Sequence, residues 1–390
     1  EQPILPTLVA GETDVITMAW IGKIRPALAW HARVAHRAWP STPAGFALAF
    51  ASDATRRILS PNRREPMRRI SLHLFAWSIA AATLPGLATA QAYPNKPVRL
   101  VVPFAPGGTT DLLARIISER MGATLGQAVV VENKAGAGGA IGAAEVARSR
   151  PDGYVLLMSS VSTMAANPAI IPATPYDPNK DFVHIINVAA TPIVIAVNPS
   201  FPAKDYKAFF DTLQKNPGKY SYGSGGNGTI GHLLAELYKS AAKVDITHIP
   251  YRGSGPALND AIGGQVPIIV DNLPSTLPFI KDKRLVPIVV SAPKRVASLP
   301  DVPTFAEVGL ESVNRMSFLG VSAPKDTPKE VVDKVHAAVK AALADANAKG
   351  RIEATGAIVV GNSAEDYQRQ VSDEFAIYKR VVLEQKLKVE

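Results

Sequence analysis

A chain of 390 residues, 47% hydrophobic and 19% charged, with no cysteine and a formal charge of +9, is long enough for two or three domains. That composition excludes a disulfide-stapled miniprotein, a disordered or collagen-like chain and a polytopic membrane protein. It also excludes thiol catalysis, thiolate metal sites and a lipid anchor on cysteine. Residues 1–92 hold 10 Lys and Arg against 5 Asp and Glu, so the remainder is only mildly basic and no nucleic-acid partner is expected.

Residues 67–92 read as an export signal. Met67-Arg68-Arg69 gives a short basic start, residues 70–87 are mostly apolar, and cleavage is expected after Ala90 or Ala92. His73, Ser78 and Pro85-Gly86 interrupt the apolar run, which argues against a membrane-spanning helix of about 20 apolar residues. Residues 1–66 carry no sustained apolar period and are expected to be an upstream extension read through ahead of a start at Met67, with a DNA-binding head as the competing idea.

From Tyr93 onward, short apolar runs alternate with helical periods. Strands are expected at residues 98–103, 128–132, 155–158, 220–223, 246–249, 267–270 and 285–290. Helices are expected around Leu112, Leu113, Ile116, Ile117 and Met121, and at 140–147, 229–242 and 257–262. The rhythm is that of an α/β protein with mainly parallel sheets. Two extended stretches, residues 185–198 broken at Pro192 and residues 316–323, lack a helix before them and are expected to be paired hinge strands. Residues 93–192 with 317–390 would then form one lobe and residues 193–316 the other. In the tail, Thr327-Pro328-Lys329-Glu330 reads as a capping box, and Ser363-Ala364-Glu365-Asp366 opens the last helix.

The sharpest local feature is Pro103-Phe104-Ala105-Pro106-Gly107-Gly108-Thr109-Thr110-Asp111, placed between the first strand and the first helix. Glycines let this backbone turn tightly, and the first-turn amides of the helix have no internal acceptor, so they can receive a carboxylate or phosphate. Asp111 is either a ligand contact or a first-turn acid that complements the helix dipole. A second turn, Gly223-Ser224-Gly225-Gly226-Asn227-Gly228-Thr229, opens another helix and forms an amide nest suited to a second polar group. Its glycines also satisfy the dinucleotide pattern, with Asp245 near the ribose-binding position. The third glycine run, residues 136–142, fails that spacing and reads as close packing at a helix start. Ser159, Ser160, Ser162, Asn167, Arg252 and Asp271-Asn272 follow strand ends, where open α/β sheets bind ligands.

Catalytic arrangements find little support. The histidines after Tyr93 (His184, His232, His248, His336) lack metal-ligand spacing, and no Gly-x-Ser-x-Gly elbow occurs. His232 reads as a packing or ligand-orienting residue. No catalytic residue, metal or cofactor is expected.

The run Tyr93-Pro94-Asn95-Lys96-Pro97-Val98-Arg99-Leu100-Val101-Val102 through Asp111 resembles the start of mature Bug-type (TctC-like) solute-binding proteins of tripartite tricarboxylate transporters. So do Val131-Glu132-Asn133-Lys134-Ala135-Gly136, Arg150-Pro151-Asp152-Gly153-Tyr154, the Gly223–Gly228 turn with His232-Leu233, Pro250-Tyr251-Arg252-Gly253 and Gly264-Gln265-Val266. The resemblance implies a type II periplasmic-binding-protein fold, a two-lobed clamp over a small organic acid, working as a periplasmic monomer that delivers its ligand to membrane components of the carrier. It carries ligand contacts onto Ala105, Gly107, Gly108, Thr109, Asp111, Ser160, Ser162 and Asn167 in one lobe, and Ser224, Asn227, Gly228, Thr229, Arg252 and Asp271 in the other. The chain departs from the pattern at Pro267, where relatives often carry an acid, and at residues 158–164, which lack the usual Gly-Thr and His-Ala elements. Two rival classes are the effector domain of a transcription regulator and a dinucleotide-dependent oxidoreductase.

Overall fold

The computed structural model describes residues 93–387; the expected read-through extension and export signal fall outside the described residues. The first sheet has the order β11-β4-β10-β3-β1-β2, built from β1 (Val98–Val102), β2 (Val129–Asn133), β3 (Val155–Ser160), β4 (Phe182–Thr191), β10 (Ser317–Pro324) and β11 (Ile358–Val359). The second has the order β7-β6-β8-β5-β9, from β5 (Ile193–Val197), β6 (Ser221–Ser224), β7 (Thr247–Pro250), β8 (Ile268–Asn272) and β9 (Val286–Ser291). The sheets define lobe 1 and lobe 2, and both belong to one compact unit.

Strand β1 is nearly continuous in apolar residues because helices cover both faces of its sheet. Val98, Leu100 and Val102 pack with Leu113, Ile117 and Met121 of α1 (Thr109–Leu125) and with Val335 and Val339 of α8 (Lys329–Ala344). Val101 faces the opposite side, toward Ala140 and Ala143 of α2 (Ala140–Ala147). The expectation of mainly parallel sheets is corrected: both sheets are mixed. The βαβ units run parallel, as in β2-β1-β3 and β7-β6-β8, but the strands that leave and re-enter each lobe run antiparallel.

Pro192 has no N–H to continue a ladder, and there the chain changes sheets, from β4 to β5. Its carbonyl accepts the N–H of Leu273 at 2.8 Å. The return crossing enters β10 at Ser317, which lies opposite Thr191 in the antiparallel β4–β10 pair. The tail holds three helices: α8, α9 (Ala346–Ala354) and α10 (Ala364–Glu384). Ser363 caps α10 by accepting the Asp366 N–H at 3.1 Å. The expected capping box at Thr327 does not form, because the Thr327 hydroxyl turns back to donate to the Pro324 carbonyl at 2.7 Å and α8 begins behind Pro328 without a side-chain cap.

Under α10, His184 is 1% exposed. Its Nε2–H donates to the Pro178 carbonyl at 2.9 Å, which fixes Nδ1 as the acceptor for the Ser322 hydroxyl at 2.8 Å. Burial pushes its pKa from 6.5 down to about 4, against a smaller opposing effect of the Pro178 bond. The native state therefore resists a proton that the unfolded chain accepts. Stability is fully present above pH 6.5 and falls by about 3 kcal/mol as the pH drops to 4. Urea midpoints measured across this window should fall less steeply for His184→Gln than for the parent chain; identical slopes would refute the assignment.

Candidate functional site

The site begins where β1 ends. Gly107 takes φ +88°, and Gly108 precedes α1 in an extended conformation with no side-chain cap. The first-turn amides of α1 consequently face the cleft with no acceptor in their own helix, at the positive end of its dipole. Asp111 braces this turn from behind, accepting from the Gly107 amide at 3.1 Å, the Asn133 Nδ2 at 2.9 Å and the Arg115 Nε at 3.1 Å. Burial alone would raise its pKa, but Arg115, Asn133 and the Gly107 amide hold it below the ordinary value.

Lobe 2 aims three helix starts at the same place: α5 (Ile230–Ala242) after Thr229, α6 (Ser254–Ile262) after Gly253 and α7 (Leu273–Lys281) after Asn272. Each follows the C-terminal end of a strand, as expected of ligand sites in open α/β sheets. Between the lobes lies a cavity of about 30 Å³, lined by Gly108, Thr109, Thr110, Ser160 and Ser162 from lobe 1 and by Gly225, Thr229, Ser254, Asp271 and Asn272 from lobe 2, among others. The lobes touch directly across it. Ser162 Oγ accepts the Ile230 N–H at 3.0 Å, Thr109 Oγ1 accepts the Ser275 N–H at 3.1 Å, and the Ala105 N–H donates to the Arg252 carbonyl at 3.2 Å. Two orphan donors at lobe 2 helix ends are thus capped by hydroxyls of lobe 1.

Of the residues expected to bind ligand, Gly108, Thr109, Ser160, Ser162, Thr229 and Asp271 line the cavity. The others stand around it in supporting positions. Ala105 and Gly107 line an outer groove against Gly255 and Pro256. Asn167 Nδ2 donates to the Ala137 carbonyl at 3.0 Å, and its Oδ1 accepts from Thr174 at 2.9 Å. Ser224 Oγ pairs with His248 Nε2 at 2.7 Å. Gly228 donates its N–H to His232 Nδ1 at 3.2 Å, and the His232 ring stacks on His248 with centroids 4.2 Å apart, so this histidine pair stiffens the glycine turn. The Arg252 side chain is exposed and only its carbonyl takes part. Asn227 contributes its carbonyl to a close approach by Gly138, where a Cβ would lie 2.1 Å from that oxygen. The third glycine run is therefore not only packing at a helix start: Gly138 lets the lobes meet. Ser254, Ser317 and Leu319 line the cavity without having been anticipated; a lone serine before a helix and two residues on a hinge strand carry no local signature.

The family model described as "Tripartite tricarboxylate transporter family receptor" matches residues 113–387. The chain belongs to this family. Protein BugT of Bordetella pertussis is 33% identical over 307 residues, 78% of this chain and 94% of BugT. Among solved structures, a periplasmic transporter is 48% identical with a TM-score of 0.76, covering 77% of this chain and all of the other. MatC from Rhodopseudomonas palustris, solved with bound malate, is 33% identical with a TM-score of 0.72, covering 74% of this receptor and all of MatC. An R. palustris protein solved with adipate is 34% identical with a TM-score of 0.73, covering 76% of this receptor and 99% of that chain. The family is one of solute-binding receptors, and the type II two-lobed fold seen here is the one its periplasmic relatives share.

Proposed function

We propose that this receptor is exported by the leader at residues 67–92, captures a small organic carboxylate between its lobes in the periplasm, and presents the closed complex to the membrane components of a tripartite carrier. The observation that carries this reading is the convergence of the uncapped helix N-termini of α1 from lobe 1 and α6 from lobe 2 on one cavity. Such ends hold an anion without a basic side chain. The relatives solved with malate and adipate support a carboxylate as that anion. Gly108, Thr109, Ser160, Ser162, Thr229 and Asp271 are the residues assigned to the ligand. Contacts to both lobes supply the differential affinity that closure requires, with the crossings at Pro192 and Ser317 as the hinge. No catalytic role is assigned to any residue.

A thermal-shift screen of the purified chain against di-, tri- and monocarboxylic acids, followed by calorimetry on the hits, tests this directly. At a hundredfold excess over Kd a ligand should raise Tm by roughly 5 °C or more, with Kd about micromolar or tighter. A shift with NAD and none with any acid would overturn the proposal in favour of an oxidoreductase.

A further inference from the structure

Asp271, the penultimate residue of β8, lies on the lobe 2 wall of the cavity and is 4% exposed. The Ser254 and Ser275 hydroxyls each donate to it at 2.6 Å, one to either carboxylate oxygen. Across the cleft, Thr109 Oγ1 already accepts the Ser275 N–H and lies 2.8 Å from Ser275 Oγ. The Ser275 proton goes to Asp271 at 2.6 Å or the Asn272 carbonyl at 3.0 Å, which leaves the Thr109 hydroxyl to donate to Ser275 Oγ. All three hydroxyl protons are thus spoken for, and this corner of the cavity turns oxygen lone pairs toward a guest.

Among the described residues no Lys, Arg or His makes an ion pair or hydrogen bond with Asp271. Burial raises its pKa, against the opposing hydrogen bonds from Ser254, Ser275 and the Asn272 backbone. Helix starts of both lobes offer N–H donors to this cavity, whereas the Asp271 corner offers acceptors. A plain alkanoate or alkanedioate satisfies the helix starts and leaves the Asp271 corner unpaired.

Building on the carboxylate reading above, we infer that the receptor prefers acids that carry an O–H or N–H donor, hydroxy or amino acids, over their unsubstituted counterparts, and that Ser254 and Asp271 read that donor. A site built to bond a ligand hydroxyl discriminates strongly against the analogue lacking it, because its buried polar groups are then left unpaired. Calorimetry on the full chain with matched probes, succinate against malate and aspartate, tricarballylate against citrate, and phenylacetate against mandelate, measures the preference. In whichever set binds, the donor-bearing acid should bind at least tenfold more tightly. Asp271→Asn and Ser254→Ala, each first checked for an unchanged melting transition, should reduce that ratio to about twofold or less. Equal affinities in the parent chain, or an undiminished ratio in both variants, overturn this inference and leave the carboxylate reading standing. Binding of none of the probes overturns both.

Discussion

Replacing Gly255 with alanine should weaken ligand binding at least tenfold while leaving the unliganded chain as stable as before or more so. Gly255 is the second residue of α6, and a Cβ there would lie 2.3 Å from the Pro106 carbonyl oxygen of lobe 1. That neighbour is backbone, so it cannot swing aside as a flexible side chain would. Within its own helix the new methyl group is favourable, since alanine exceeds glycine by up to about 1 kcal/mol in helix propensity. The substitution therefore penalises the closed arrangement alone and shifts the population toward separated lobes. Gly138→Ala should weaken binding too, through the Asn227 carbonyl, but with φ at +62° it also strains its own loop by about 1 kcal/mol or more. Gly255→Ala is the cleaner test, read by calorimetry for affinity and thermal melting for stability. Unchanged affinity would mean that the approach of α6 to the Pro106 turn plays no part in capture.

Thr109→Val should cost binding roughly five- to 150-fold. It removes the side-chain acceptor of the Ser275 N–H, a group buried at the start of α7. A buried donor left without a partner costs about 1–3 kcal/mol. When the lobes separate, water can satisfy that N–H, so the loss falls on the closed state. Ser162→Ala, which strips the acceptor from Ile230 N–H, should act in the same way at the other end of the cavity. Small-angle scattering at saturating ligand should show a more open particle for the double variant than for the parent. A double variant that binds as tightly as the parent would show that these cross-lobe caps do not hold the closed form.

Features encoded over a few neighbouring residues were legible in the sequence. The β1–α1 turn, its two glycines and the Gly223–Thr229 turn all combine a strand end, a chain reversal and a helix start, and the structure places them at the cleft. Roles fixed by distant partners were not legible. Asp111 reads in the sequence as a ligand contact or a helix-start acid, and the partner that holds it against the turn, Asn133, arrives from β2. Arg252 stands out in the sequence for its place after a strand end; in the structure its carbonyl makes the contact to lobe 1, next to Gly253 at φ +148°. Helix α7 is not among the expected helices; its sequence carries Pro274 and Pro278, but Pro274 sits in the first turn, where its missing N–H costs nothing. Helix α9 was hidden for the opposite reason. Asp345 ends α8 and at once caps α9 through the Ala348 N–H at 3.0 Å, so no loop separates the two periods.

The most direct test is a crystal structure of the receptor with the tightest-binding acid from the screen. Its carboxylate should sit between the lobes within hydrogen-bond distance of backbone N–H groups of residues 108–110, with lobe 2 helix starts closing over the rest of the guest. An acid found instead in the separate pocket beside His232 and His248, or held by side-chain cations with the α1 amides facing water, would contradict the account.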